Sequence, residues 1–205
     1  YFMKILTIQN RIGIGDMVIF LPFIEAIAKK FATPVYLLAK ESSKASQILK
    51  SNKNIKEIII LDRNNNKNGY HDGLTGSLNL IKKLKSYNFD KVFIFNSSLR
   101  YRLICKMAGI KSIYQYPLFE KKEQHIINAA QKLLKKINLK VESNPQIKID
   151  KNSIQIANQK FNILNTKVNI LLGIGGSGPT KRIPADKFKK FISLVIKDHE
   201  CTFYL

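Results

Sequence analysis

Short apolar runs alternate with helical stretches along the first two thirds of the chain. The runs have the length of buried strands and cover residues 3–9, 35–39, 55–61, 91–95 and 110–114. Between and after them, apolar positions recur every three or four residues, which predicts helices over 17–31, 42–49, 74–87, 99–108 and 125–137. Strands that alternate with helices, without hairpin turns, indicate a parallel sheet covered on both faces. We therefore predict an α/β, Rossmann-like, doubly wound domain.

This alternation weakens after residue 138 and then begins again. A short strand is predicted over 146–149 and a helix over 153–164. A second series follows: a strand over 168–172, a glycine-rich loop, a helix from Asp186 and an apolar strand over 201–205. We predict one domain over 3–150 and, over 151–205, a linker helix with the beginning of a second Rossmann-like domain. An exposed apolar edge strand such as 201–205 would promote aggregation. We therefore expect further residues after Leu205.

The turn over 11–16 joins the first strand to the first helix. Gly13 and Gly15 leave the backbone open to close approach, and Asp16 lies where a helix N-cap is expected. In open α/β sheets, ligands bind at such turns. Capping alone is the simpler explanation of Asp16 when only these residues are considered. Within the helix, Pro22 predicts a kink or a restart.

A second glycine-rich turn, over 173–182, follows the strand at 168–172. Converging N–H groups such as that of Gly176, the hydroxyls of Ser177 and Thr180, and the positive charge of Lys181 or Arg182 suit a diphosphate. The Lys-Ser/Thr pair of a Walker A loop is absent. The alternative is a flexible connection with an incidental basic pair.

Composition limits the possible partners. The 35 basic and 14 acidic residues give a net charge of +21, which attracts nucleic acid, an anionic membrane surface or a phosphorylated substrate. No nucleic-acid recognition motif accompanies the charge, so we expect no nucleic-acid partner. The two cysteines and three histidines are too scattered for a metal site. Neither a bilayer-spanning run nor a secretory leader is present, so we expect a cytoplasmic protein.

Two segments resemble the ADP-heptose:lipopolysaccharide heptosyltransferases, glycosyltransferase family 9. The segment over 14–27, with its Gly-Asp pair followed by Pro22, resembles the start of the family's first helix. Lys181-Arg182-Ile183-Pro184 is similar to the family's Lys-x-Trp-Pro, with Ile183 in place of the tryptophan. Less specific similarities lie over 89–100 and 107–110. Together they extend over nearly the whole chain.

The resemblance implies a GT-B enzyme with an acceptor domain followed by a nucleotide-sugar domain. Asp16 matches the family's proposed catalytic base, and Lys181 matches the lysine that contacts the donor diphosphate. The diphosphate site implied here also includes Gly15, Gly176, Ser177 and Thr180. Candidates for holding an anionic acceptor are Ser98, Arg100 and Arg102, for which a solvated helix face is the alternative.

The implied reaction is inverting transfer of a heptose, or a related sugar, from an ADP-sugar to a lipopolysaccharide-core acceptor. It requires neither a metal nor another cofactor, and it implies a cytoplasmic enzyme peripheral to the inner membrane. The family's later donor-binding segment would follow Leu205, so we expect the 205 residues to be inactive alone. The alternative is a non-catalytic basic α/β module that binds nucleic acid or a phosphorylated ligand.

Overall fold

A computed structural model of the chain describes residues 3–63, 68–118, 125–163, 167–175 and 182–205. The chain folds as two compact units, Tyr1–Ile149 and Asp150–Leu205. The first unit contains a five-stranded sheet and the second a two-stranded sheet.

All five strands of the first unit are parallel, in the order β3-β2-β1-β4-β5. They are β1 (Ile5–Gln9), β2 (Val35–Ala39), β3 (Ile55–Ile60), β4 (Lys91–Ile94) and β5 (Ser112–Gln115). Ile8 of β1 lies opposite Leu38 on one side and Ile94 on the other. The predicted Rossmann-like sheet is confirmed, and β1 lies at its centre, where the strand order reverses.

Helices cover both faces of this sheet. In chain order they are α1 (Ile14–Lys30), a 3₁₀ turn (Glu41–Ser43), α2 (Ala45–Ile48), α3 (Gly73–Tyr87), α4 (Leu99–Met107) and α5 (Ile126–Lys135). On one face, α1 and α5 bury Phe20 and Leu133 with Phe93 of the sheet. On the other face, α3 and α4 bury Leu84 and Ile104. Burial on both faces explains the nearly continuous apolar runs of the strands.

Three backbone predictions were wrong. Gly13 is the N-cap of α1, so Asp16 lies in the first helical turn and not at the cap. Of the two outcomes predicted at Pro22, the restart is wrong and the kink stays a prediction. The helix continues through Pro22, because buried neighbours such as Phe23 hold it against the sheet. No strand forms over 146–149: these described residues are exposed and do not pair with either sheet.

The second unit contains a strand–helix–strand repeat. Its elements are α6 (Lys151–Phe161), β6 (Val168–Leu171), α7 (Ala185–Asp198) and β7 (Cys201–Tyr204), and β6 pairs with β7 in parallel. The Asp150 carboxylate caps α6 by accepting from the Ser153 N–H at 2.8 Å and from its hydroxyl at 2.7 Å. Phe191 of α7 meets Phe203 of β7 edge-on, with 6.3 Å between the ring centroids.

Candidate functional site

The carboxyl ends of β1 and β4 mark the place where open α/β sheets bind ligands. The loops that follow these two strands are joined, because the Asn96 side-chain amide donates to Asn10 Oδ1 at 3.1 Å. Asn96 Oδ1 in turn accepts from the Ser98 N–H at 2.9 Å. These bonds fix the two loops relative to each other at the edge of the sheet.

Asp16 lies at this edge, in the first turn of α1. Its side chain is 30% exposed, and Oδ1 is 3.7 Å from Nη1 of Arg11, whose own side chain is 50% exposed. Solvent screens an ion pair of this exposure, so the pair contributes little to stability. The carboxylate is therefore accessible to solvent and to a substrate hydroxyl.

The two glycines of the turn differ in their surroundings. A Cβ atom at Gly13 would lie 3.2 Å from Asp16 Oδ2, so the absence of a side chain makes room for the carboxylate. A Cβ atom at Gly15 would meet nothing within 4 Å. The first i→i−4 bond of α1 runs from the Met17 N–H to the Gly13 carbonyl, at 3.2 Å. The Gly15 N–H precedes it and is one of the donors that a helix leaves unpaired at its start.

A pocket of about 310 Å³ opens beside Arg11. One wall is apolar, from Ile126 and Leu133 of α5, and the basic groups Lys132 and Lys136 also line the pocket. Lys136 Nζ is held by donating to the Gln115 carbonyl at 3.0 Å. The pocket therefore suits a ligand with both apolar and anionic parts.

Two buried polar side chains near this pocket have unpaired atoms. The Tyr116 hydroxyl, whose residue lines the pocket, has no hydrogen-bond partner among the described residues, and burial raises its pKa. Gln9 ends β1 and is 1% exposed, and both polar atoms of its side chain also lack partners in the described chain. Because side chains alternate along β1, Gln9 lies on the same face of the sheet as Ile5. Tyr116 packs against the core cluster that contains Ile5. Leaving such groups unpaired costs about 1–3 kcal/mol each.

A charged cluster lies beyond the end of β3. Arg63 Nε donates to Asp72 Oδ1 at 2.9 Å, and Asp72 Oδ2 accepts from the Gly69 N–H at 3.0 Å. The bond to Asp72 raises the pKa of Arg63. Arg100, in the first turn of α4, donates from Nη2 to the His71 carbonyl at 2.5 Å. Burial lowers the pKa of Arg100, as does the charge of Arg63.

The structure separates the three predicted acceptor-binding residues. Arg100 joins the cluster with Arg63, which sequence reasoning missed. Arg102 lies two positions further along α4, so it projects about 200° away around the helix axis, and it is exposed. Ser98 is the N-cap of α4, and its carbonyl accepts from the Gln115 side chain at 2.9 Å.

The predicted diphosphate loop lies mainly outside the described residues. These unplaced positions are Gly176, Ser177, Thr180 and Lys181. Within the ranges that are described, no cluster of three or more His, Cys, Asp or Glu residues could hold a metal ion. Over the same ranges, no helix combines the length and apolarity needed to cross a membrane.

The buried His71 predicts a pH-dependent stability. Its Nδ1 accepts from the Asp62 N–H at 3.0 Å, and burial, with the charges of Lys83 and Arg100, lowers its pKa. The unfolded chain therefore binds the proton more readily, so the free energy of unfolding falls as pH drops below about 6.5.

His71→Asn tests this, because the asparagine oxygen can still accept from Asp62. We expect its free energy of unfolding to change less between pH 7.5 and pH 5.5, values that bracket a usual histidine pKa of about 6.5, than that of the unsubstituted protein. His125→Gln, which removes an exposed histidine, is the control and should keep the original dependence. An identical pH dependence in all three proteins would contradict the prediction.

Comparison with solved structures shows that the fold is similar to that of heptosyltransferase structures. No protein-family profile matches the chain, and no curated protein matches its sequence. The crystal structure of the glycosyl transferase family 9 protein from Veillonella parvula DSM 2008 matches with a TM-score of 0.76 and 18% identity. That match covers 98% of this chain and 62% of the other.

Two E. coli structures match over a similar range. ADP-heptose lipopolysaccharide heptosyltransferase II gives a TM-score of 0.68 at 16% identity, covering 98% of this chain and 64% of that one. Heptosyltransferase WaaC with ADP gives 0.63 at 15% identity, covering 98% of this chain and 67% of that one. The chain thus spans about two thirds of the length of these structures. The predicted structural likeness to family 9 is confirmed, and at these identities it shows a shared fold.

Proposed function

We propose that the protein is an inverting glycosyltransferase of family 9, which moves a heptose or a related sugar from an ADP-sugar to a lipopolysaccharide-core acceptor. The observation that best supports this is the position of Asp16, an accessible carboxylate beyond the end of the central strand. The donor class is supported by the fold match, since WaaC has been solved with ADP and with ADP-2-deoxy-2-fluoro heptose.

In the proposed reaction, Asp16 is the base. Its carboxylate takes the proton of an acceptor hydroxyl as that oxygen bonds to the anomeric carbon of the sugar. The bond between the anomeric carbon and the diphosphate breaks, and ADP leaves with the electron pair. Lys181, with N–H groups such as that of Gly15 and the loop donors Gly176, Ser177 and Thr180, stabilises the negative charge that develops on ADP. No metal is required for this step.

Basic side chains near the carboxyl edge of the five-stranded sheet suit an anionic acceptor. Arg63 and Arg100 are held by the protein through Asp72 and the His71 carbonyl, so little conformational entropy is lost when they bind an anion. Arg11 and Lys136 line the neighbouring pocket. Because Arg102 projects away from Arg100, we assign it no part in acceptor binding. The acceptor class places the reaction in the cytoplasm, at the inner membrane.

Lys181→Gln tests the donor site. Losing a charge-assisted hydrogen bond of about 1.5–3 kcal/mol should weaken ADP binding about 10- to 100-fold. Calorimetric titration of ADP into the full-length protein measures the effect. Lys190→Gln, an exposed lysine of α7, is the matched control and should bind ADP normally.

Equal losses in the two variants, or normal ADP binding by Lys181→Gln, would contradict the assigned role. The non-catalytic alternative makes a different prediction. It requires tight, steeply salt-dependent binding to generic nucleic acid, with no binding of ADP.

A further inference from the structure

The outer face of α4 is apolar and basic. Leu99, Leu103 and Met107 are 50%, 49% and 61% exposed, and Arg102 and Lys106 are exposed between them. These positions follow the spacing i, i+3, i+4, i+7 and i+8, so they share one face of the helix. The opposite face is already buried in the core and consists of Tyr101, Ile104 and Cys105. The helix thus presents a second apolar stripe, which the core does not use.

Helix α3 has a similar exposed apolar and basic stripe. It packs beside α4 on the same face of the sheet. Its Leu74 and Leu78 are 86% and 52% exposed, and the exposed Lys82 lies one turn further along the same side. The α3–α4 surface is defined here as Leu74, Leu78, Lys82, Leu99, Arg102, Leu103, Lys106 and Met107.

The charge around this surface is mainly positive. Residues 72–118 contain eight lysines and arginines and two acidic residues, Asp90 and Asp72, and the Asp72 carboxylate at the N-cap of α3 is paired with Arg63. Asp90 lies before β4, at the opposite edge of the sheet, where its carboxylate accepts from the Lys4 N–H at 2.7 Å. The α3–α4 surface therefore complements an anionic partner. A second copy of the chain would place like charges against each other, which disfavours a dimer through this face.

We propose that the α3–α4 surface binds an anionic lipid bilayer. The leucines and Met107 would enter the boundary between headgroups and acyl chains. Arg102, Lys106 and Lys82 would contact anionic headgroups, since their long side chains can keep the charge in the polar layer while the stem contacts lipid.

The position of the surface fits the proposed reaction. Leu74 and Leu99 lie in the first turns of α3 and α4, which start at the edge of the sheet where Asp16 lies. A bilayer bound here would hold a lipid-linked acceptor near that edge. This last step rests on the proposed function, whereas bilayer binding itself does not.

Sedimentation of the full-length polypeptide with lipid vesicles tests the proposal. We expect binding to vesicles that contain phosphatidylglycerol, weakened by salt, and little binding to pure phosphatidylcholine. Each charge removed near the membrane should weaken binding about fivefold, so Arg102→Gln with Lys106→Gln should weaken it about 30-fold. Leu103→Gln should also reduce binding, since it removes apolar area from an exposed site that the core does not need.

The matched control removes the same charge from the other face of the sheet. Lys29→Gln with Lys30→Gln changes two exposed lysines in the last turn of α1 and should reduce binding far less. Equal losses in the two pairs, or no vesicle binding by the unsubstituted protein, would overturn the proposal. The proposal would also be overturned if the α3–α4 surface bound an acidic protein stably and did not bind vesicles. ADP titration in parallel separates the two claims, because a protein that binds vesicles without binding ADP contradicts only the transferase assignment.

Discussion

Replacing Asp16 by asparagine is expected to lower the rate of sugar transfer about 100- to 10,000-fold, the usual contribution of a general base. Asparagine has nearly the same shape but cannot take the proton of the acceptor hydroxyl. The fold should not depend on this charge, because Asp16 is 30% exposed and its partner Arg11 is 50% exposed. Turnover at saturating donor and acceptor measures the loss in the full-length polypeptide, and ADP affinity should be unchanged.

Glu25→Gln is the matched control for this experiment. It makes the same chemical change in the same helix, away from the turn. Glutamine keeps an oxygen that can accept from the Asn52 side-chain amide, which donates to Glu25 Oε1 at 2.8 Å. Normal transfer by this control and loss by Asp16→Asn would assign the effect to the base. Unchanged turnover by Asp16→Asn would remove Asp16 from that role.

Replacing Gly76 by alanine is expected to destabilise the first unit by about 3 kcal/mol, at the upper end of the usual cost of overpacking. Elsewhere in a helix interior this change stabilises by about 1 kcal/mol. At Gly76, however, the added Cβ would lie 2.2 Å from the carbonyl carbon of His71. Because backbone cannot rotate away as a side chain can, α3 must shift from the segment that carries His71 and Asp72. Denaturant unfolding followed by circular dichroism measures the change.

Gly15→Ala is the control for stability. It also adds one methyl group to a helix, but nothing lies within 4 Å of the new atom. We expect unchanged stability or a gain of up to about 1 kcal/mol. If Gly76→Ala were as stable as Gly15→Ala, the close approach of α3 to His71 would be wrong.

Most of the fold could be predicted because the strands are buried on both faces. Burial makes β1 and β2 continuous apolar runs, which are local signals. Residues 146–149 alternate polar and apolar side chains, which is also a local strand signal. A strand also needs a neighbour, however, and local sequence does not contain that information. The start of α1 was placed late because Gly13 and Gly15 have low helix propensity, whereas the structure uses Gly13 as the cap.

The candidate site was predictable only where neighbours in sequence form it. Asp16 was singled out by its place after Gly15 at a strand–helix junction and by the resemblance to family 9, and its role as the base stays a prediction. The contact between Arg100 and His71 joins residues 29 positions apart, so no local pattern indicates it. Gln9 and Tyr116 share an edge and a face only because β4 and β5 follow β1 in the sheet. A polar residue at the end of an apolar strand was the one available signal for Gln9.

The turn-forming residues over 62–69 predict a polar, flexible loop, either a mobile rim of the site or a solvated spacer, and residues 64–67 lie outside the described residues. Among the described residues here, Asp62 Oδ2 accepts from the Tyr70 N–H and Asp72 Oδ2 accepts from the Gly69 N–H, both at 3.0 Å. The sequence signal was composition, which is typical of turns as well as of flexible loops. Hydrogen bonds distinguish an ordered turn from a flexible loop, and one of the bonds here depends on the position of the Asp72 carboxylate.

The most direct test of the proposed function is the product formed from ADP-heptose and a lipopolysaccharide-core acceptor by the full-length polypeptide. Nuclear magnetic resonance of the product determines the anomeric configuration of the transferred sugar. The amount of ADP released is measured in parallel. We predict one ADP per sugar transferred and an anomeric configuration opposite to that of the donor. A product that keeps the donor's configuration, or ADP-heptose left unconsumed in the presence of the acceptor, would contradict the proposal.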